Sequence, residues 1–326
     1  MTINLSPLVN MGVVIPNAEE AYRFLNSLFS AEKIQEELSQ FLSSDTAKVI
    51  HVGIGDIVLQ YIEPIAKEGI WYDQMQEKGS GIHHLTYTVD NIETAVKELE
   101  NEGIGSLSTL DIEWENLIKS DFTNPNASKL YIMNTMEKFG FHLALTEKPG
   151  RNNLILPETR YVTGSDKLIG DASTMLHIEL VTADADKTLE LLQKLFGTEK
   201  VEIEFAGILD SDFMHIIHVN LSNIVLQYCQ PIVKEGTWYE LLQKNGPYIH
   251  NLNWSVDVIK ETVRKFKKEG TTRIFKQRLG GPESVPFYMY DTLKILGFHL
   301  ENGQVPTNEE GYEFVMNWLF IDFKKD

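Results

Sequence analysis

Residues Ile57 to Gln76 read IVLQYIEPIAKEGIWYDQMQ, and residues Ile224 to Gln243 read IVLQYCQPIVKEGTWYELLQ. Thirteen of the twenty positions are identical, at an offset of 167. The same offset aligns NMGVVIPNAEEAYRFLNSLF from Asn10 with HIELVTADADKTLELLQKLF from His177. It also aligns GIHHLTYTVD from Gly81 with YIHNLNWSVD from Tyr248. Further on, YIMNTMEKFGFHLA from Tyr131 matches YMYDTLKILGFHLE from Tyr288 at an offset of 157, so the second copy is ten residues shorter around 265–287. Self-similarity over so long a period marks a duplicated domain.

The duplication divides the chain into a first copy over 1–148, a linker over 149–172, a second copy over 173–304 and an aromatic-rich tail over 305–326. The linker carries Pro, Gly and polar residues. The tail is expected to dock on the body or on a second subunit. A length of 326 residues suits two domains. The 29 Lys and Arg against 47 Asp and Glu give a net charge of −18, which disfavours nucleic acids and anionic membrane surfaces. One cysteine, Cys229, excludes a disulfide framework and a zinc site of several thiolates. No apolar run approaches the ~18–20 residues of a membrane span. The N-terminus has no basic stretch followed by an apolar one, so a cytoplasmic protein is expected.

Within each copy the pattern reads strand, helix, hairpin, and then the same order again. Asn10–Ile15 is β-like, and Asn17-Ala-Glu-Glu20 opens a helix reaching about Phe29. Lys48–Gly53 and Ile57–Ile62 are β-rich runs around Gly55-Asp56. The second half restarts at His84–Val89, with Asp90 and, in the other copy, Asp257 as expected helix caps. Tyr131–Met133 and Gly140–Leu145 close it, joined by a loop.

NIVLQYCQPI, SGIHHLTYTVDNIETAVKELENEGI and LGFHLE resemble the vicinal oxygen chelate (glyoxalase-like) superfamily, and most of all its methylmalonyl-CoA epimerases. The resemblance implies an α+β fold of two tandem domains, each a pair of βαβββ units forming a cupped mixed sheet with helices outside. It also implies one divalent metal ion (Zn, Co, Mn, Ni or Fe) held from the first and fourth strands of each unit. Those positions fall on Asn10, Gln60, His84 and Ala144 in the first copy, and on His177, Gln227, Asn251 and Glu301 in the second. The second copy keeps three ligand types and the first keeps two, so the second is the expected active copy and the first a degenerate one.

Side chains two apart on a strand share a face. The face around the second set therefore reads His177, Glu179, Gln227, Asn251, Asn253, His299 and Glu301. An unpaired polar group in a core costs roughly 1–3 kcal/mol, so seven together on a buried face point to a site. Glu301 is the expected carboxylate ligand and Glu179 the expected general base, its pKa raised by desolvation. His299 and Asn253 are additional ligand candidates. His215 or His218 is the second proton carrier, the choice resting on the register of the turn near Asn220–Asn223. In the first copy Gln60, His84 and His142 form a second candidate set. His83 and His250 are expected to point the other way, as packed or surface residues.

The expected activity is that of an isomerase, epimerase or lyase acting on a small carbonyl or thioester compound through a metal-stabilised enolate. The alternatives are a metal-free protein that sequesters a small molecule, and a relative of the extradiol dioxygenases. Asn251 stands where the dioxygenases would need a histidine. The expected partner is a small-molecule substrate, and either a monomer or a homodimer is compatible with the sequence.

Overall fold

A computed structural model describes residues 2–111, 129–147, 171–172, 175–201, 212–256, 258–278 and 286–304. The tail over 305–326, the residue Asp257, and the linker apart from Asp171 and Ala172 lie outside the described residues.

The first copy runs β1 (Asn10–Val14), α1 (Ala18–Phe29), β2 (Glu32–Ile34), α2 (Glu36–Leu42), β3 (Ala47–Ile54), β4 (Ile57–Pro64) and α3 (Ile70–Glu77). It continues with β5 (Gly81–Val89), α4 (Ile92–Asn101), β6 (Ser106–Asp111), β7 (Lys129–Met133), α5 (Met136–Phe139) and β8 (His142–Glu147). The second copy repeats the plan with β9 (Met175–Val181), α6 (Ala185–Phe196), β10 (Glu199–Lys200), β11 (Met214–Leu221), β12 (Ile224–Pro231) and α7 (Thr237–Asn245). It closes with β13 (Tyr248–Val256), α8 (Ile259–Lys268), β14 (Arg273–Arg278), β15 (Pro286–Tyr290), α9 (Leu293–Leu296) and β16 (His299–Gln304).

Each copy forms one eight-stranded sheet, in the orders β2-β3-β4-β1-β5-β8-β7-β6 and β10-β11-β12-β9-β13-β16-β15-β14. The sheets are mixed: β1 lies parallel to β4 and antiparallel to β5, and β5 lies parallel to β8. Two βαβββ units per copy, each contributing half a sheet, is the arrangement expected from the sequence. None of the helices among the described residues is long and apolar enough to cross a membrane.

Local chemistry accounts for most of the element ends. Asn17 Oδ1 accepts from the Glu20 N–H and caps α1, and Asp184 does the same for α6 through Lys187. At α4 the cap is Asn91, which accepts from the Thr94 N–H; Asp90, the expected cap, lies one residue too early. The connection between β7 and β8 is the short helix α5 rather than a plain loop, and it ends on Gly140 at φ +82°. Gly297 ends α9 in the same way at φ +81°.

One hydrophobic core spans both copies. They meet about a pseudo-twofold relation that the offset of 167 makes visible. Asp56, in the turn between β3 and β4, accepts from the Met175 N–H at the head of β9 at 2.8 Å. Asn223, its counterpart between β11 and β12, accepts from the N–H of Leu8, the counterpart of Met175, at 2.7 Å. Gly140 packs against Leu180 and Tyr248, while Gly297 packs against Val13 and Gly81. A Cβ on Gly297 would lie 2.6 Å from Val13 Cγ1, so contact as well as backbone angle requires glycine there. Phe266 of α8 meets Phe24 and Phe29 of α1 edge to face and stacks on Tyr290 at 3.6 Å.

Candidate metal centre

β9 carries His177 and Glu179, β12 carries Gln227, β13 carries Asn251 and Asn253, and β16 carries His299 and Glu301. These four strands are adjacent in the sheet, and their register pairs Gln227 with Glu179, Asn253 with His177 and Asn253 with Glu301. Strands fix this convergence because each positions a side chain every second residue on the same face.

Ligand atoms of His177, Glu179 and Glu301 lie within 4.8 Å of one another, and all three residues are buried. His177 Nε2 stands 3.7 Å from Glu301 Oε2 and makes no hydrogen bond. Asn253 Nδ2 donates to the same Glu301 oxygen at 2.9 Å. The Oδ1 atoms of Asn251 and Asn253 are buried without partners. Gln227 Nε2 is 2.8 Å from His218 Nε2. One imidazole, two carboxylate oxygens and unpaired amide oxygens are a donor set that fits a divalent ion, with the imidazole nitrogen free of any competing bond.

Glu179 departs from expectation in its titration. Burial works to raise its pKa, but the hydrogen bond and charge of His250, the charge of His177 and the hydrogen bond from Trp238 together hold it below the usual carboxylate range. His250 Nδ1 lies 3.1 Å from Glu179 Oε1, and Trp238 Nε1 donates to that oxygen at 3.2 Å. His250 was expected to face away. The ladder between β13 and β9 shifts between Ile249 and Asn251, so His250 is the extra residue of a β-bulge and strand alternation fails there. His299 packs 5.0 Å from the His250 ring, with Nδ1 facing Tyr290 O at 3.3 Å.

His215 lies outside this group. It pairs with Asp186 of α6 at 3.3 Å, whereas His218, three residues along β11 and so on the opposite face, is the histidine beside Gln227. The reason is register: a two-residue turn at Ser222-Asn223 sets His218 directly across from Gln227. Burial lowers His218 to about 3, aided by the charge of His177 and opposed by that of Glu179. The sequence leaves the choice between His215 and His218 open, and it does not reveal His250 and Trp238 as partners of Glu179. Their signal was repetition, since Trp71, His83 and His51 occupy the matching places in the first copy.

The first cup differs in charge. Gly12 replaces Glu179 and Ala144 replaces Glu301, so neither carboxylate has a counterpart. His84 replaces Asn251, and its ring takes the space above Gly12. Gln60 pairs with His51 at 3.1 Å, and His51 Nδ1 meets Ser39 Oγ at 2.8 Å. His142 faces Met133 O at 3.3 Å, and its ring lies 4.6 Å from that of His83, tilted by 43°. Gln60, His84 and His142 thus share the face, but among the described residues only the second copy brings three candidate ligand atoms together. A separate open cleft of about 500 Å³, lined by Asn4, Leu5, Phe196 and Ser222 among others, touches none of these residues.

Residues 10–111 match the model of the Glyoxalase/Bleomycin resistance protein/Dioxygenase superfamily. That match falls within the first copy, and the second copy repeats its sheet order. The fold is that of two tandem glyoxalase-like domains. A stretch of 106 residues is 28% identical to the mitochondrial methylmalonyl-CoA epimerase of Homo sapiens, covering 32% of this chain and 58% of that protein. The Mus musculus epimerase is 29% identical over 105 residues, covering 32% and 57%. The chain therefore spans less than two thirds of the curated relatives it matches. Among solved structures, a mutant of 4-hydroxymandelate synthase from Streptomyces coelicolor superposes with a TM-score of 0.61 at 13% identity, over 92% of both chains. The Mn(II)-bound glyoxalase from Novosphingobium aromaticivorans gives 0.53 at 10% identity, over 93% of this chain and 83% of the other. At these identities the structural likeness concerns the glyoxalase fold.

Proposed function

We propose that the second glyoxalase-like repeat is a metal-dependent isomerase, epimerase or lyase site acting on a small carbonyl or thioester compound. The observation that carries this reading is the unpartnered His177 Nε2, buried 3.7 Å from Glu301 Oε2 with a Glu179 oxygen within 4.8 Å. His177 and Glu301 would hold the ion, with Gln227 and Asn251 as the neighbouring amide donors. The ion when bound would supply a Lewis acid for the substrate carbonyl, acidifying the adjacent C–H.

Glu179 is the group on this chain suited to take that proton. Its depressed pKa keeps it ionised at neutral pH, so it accepts without first losing a proton. The same depression makes it a weak base, so the reading requires a substrate whose α-proton is already activated. His250 and Trp238 bind one carboxylate oxygen and so aim the other. Burial of the cup excludes bulk water from the reacting groups.

A metal-free binding cup is the second reading. The observation favouring it is that both carboxylates already have donors within the protein, Asn253 for Glu301 and His250 and Trp238 for Glu179. Elemental analysis of untagged protein separates the two. About one equivalent of a divalent ion, lost in His177→Ala with folding intact, supports the enzyme, and solvent exchange at candidate α-carbons in deuterated water then tests the reaction class. Absence of metal under every loading condition overturns it in favour of the binder.

A further inference from the structure

The groups that hold the Glu179 carboxylate in the second cup recur in the first. Trp71 stands where Trp238 stands, His83 where His250 stands and His142 where His299 stands. Glu179 itself has no counterpart, because a Cβ on Gly12 would fall 1.9 Å from His84 Cε1. The His84 imidazole has taken over the carboxylate's space and its partner: His84 Nδ1 lies 3.2 Å from His83 Nδ1.

Two neutral ring nitrogens in contact share one proton. The second cup indicates which carries it, since the matching His250 Nδ1 faces a carboxylate that only accepts. With His83 as the donor, His84 is the tautomer protonated on Nε2. That N–H is buried without a partner, in a residue 1% exposed. Asn10 Oδ1 and Thr86 Oγ1 are buried without partners as well. Asn10 pairs with Thr86, and Gly12 with His84, across β1 and β5, so the three atoms belong to neighbouring positions on one face. Buried polar atoms are as a rule paired, and three left unpaired at neighbouring positions call for a partner that the described residues do not supply.

Charge narrows the ligand. The first cup has Gly12 and Ala144 where the second has two carboxylates. Lys78, whose counterpart in the second copy is Asn245, is close enough for its charge to bear on His83 and His142. The second cup suits a cation and the first an anion. We propose that the first cup binds a small hydroxycarboxylate, its carboxylate accepting from His84 Nε2 and Thr86 Oγ1 and its hydroxyl donating to Asn10 Oδ1. This site does not depend on a metal in the second cup.

Titration calorimetry with lactate and glycolate tests it, using the full chain treated with chelator, as wild type and as Glu301→Ala. The expected result is saturable binding at one site in both proteins, weakened about tenfold by Thr86→Val and by Asn10→Ala. On the unaltered protein, propionate, which lacks the hydroxyl, should bind about tenfold more weakly than lactate, and Asn10→Ala should abolish that preference. Three results each overturn the proposal: no saturable binding up to about 50 mM of a ligand of this affinity class, binding lost in Glu301→Ala, or binding unchanged in folded Thr86→Val and Asn10→Ala. None of them bears on metal content at His177, so the two readings fail separately.

Discussion

Replacing His84 with asparagine, the residue the second copy carries at position 251, should flatten the acid side of the stability profile. Burial, with the charge of His142, pushes His84 down to about 3 from an ordinary 6.5. A histidine with a depressed folded value contributes stability that is whole above its unfolded pKa and drains away as pH falls toward the folded one, because the unfolded chain takes the proton first. Between pH 8 and pH 5 a shift from 6.5 to about 3 removes roughly 2 kcal/mol. His51 and His142, at about 4, and His218, at about 3, each remove a similar amount. Four such groups together reach about 8 kcal/mol, comparable with the whole stability of an ordinary domain at ~5–15 kcal/mol. That sum is an upper figure, since local opening can admit one proton without global unfolding. The assay is urea denaturation followed by circular dichroism at several pH values from 8 to 5. His84→Asn should lose up to about 2 kcal/mol less than wild type over that range, whatever its absolute stability at pH 8. An identical pH dependence in the two proteins would refute the burial argument.

Gly12→Ala should destabilise the first copy by about 1–3 kcal/mol, because its methyl group would overlap His84 and the ring is hemmed in by Trp71 at 5.6 Å. Thermal melts of Gly12→Ala, His84→Asn and the double variant check this, and the double variant should recover most of the loss. Asp56→Asn should raise stability above pH 7 by about 1 kcal/mol or more. Burial pushes Asp56 up to about 7, so the stability it contributes is present at low pH and declines as pH rises toward that value. An asparagine keeps the acceptor for Met175, as Asn223 does for Leu8. The loss accrues from the ordinary value of 3.8 up to about 7, so denaturation at pH 4 and pH 9 should show the gain chiefly at the higher pH.

Much of the fold was legible because it was written twice. The shared Leu-Gln-Tyr of β4 and β12, the capped helices and the Gly-Phe-His turns before β8 and β16 fixed element order without reference to long-range contacts. Strand alternation also brought His177, Glu179 and Glu301 onto one face, as the structure has them. It failed at His250, since alternation presumes an uninterrupted ladder and a bulge is set by pairing with another strand. It left His215 and His218 undecided for a related reason, that the length of one hairpin turn determines which of them lies opposite Gln227. The pKa of Glu179 was misjudged because desolvation is visible from composition, while the Trp238 and His250 donors come from elsewhere in the chain.

The reciprocal clasp, Asp56 on Met175 and Asn223 on Leu8, has a genetic consequence. Two identical subunits clasped in this way would be encoded once, so every substitution would appear in both cups together. In a single chain the two clasping residues could themselves drift apart, one to aspartate and one to asparagine, without separating the halves. The same freedom let Gly12 and Glu179, or His84 and Asn251, become alternatives held side by side in one molecule. A fused pair can thus specialise each cup for a different ligand while the other preserves the shared core.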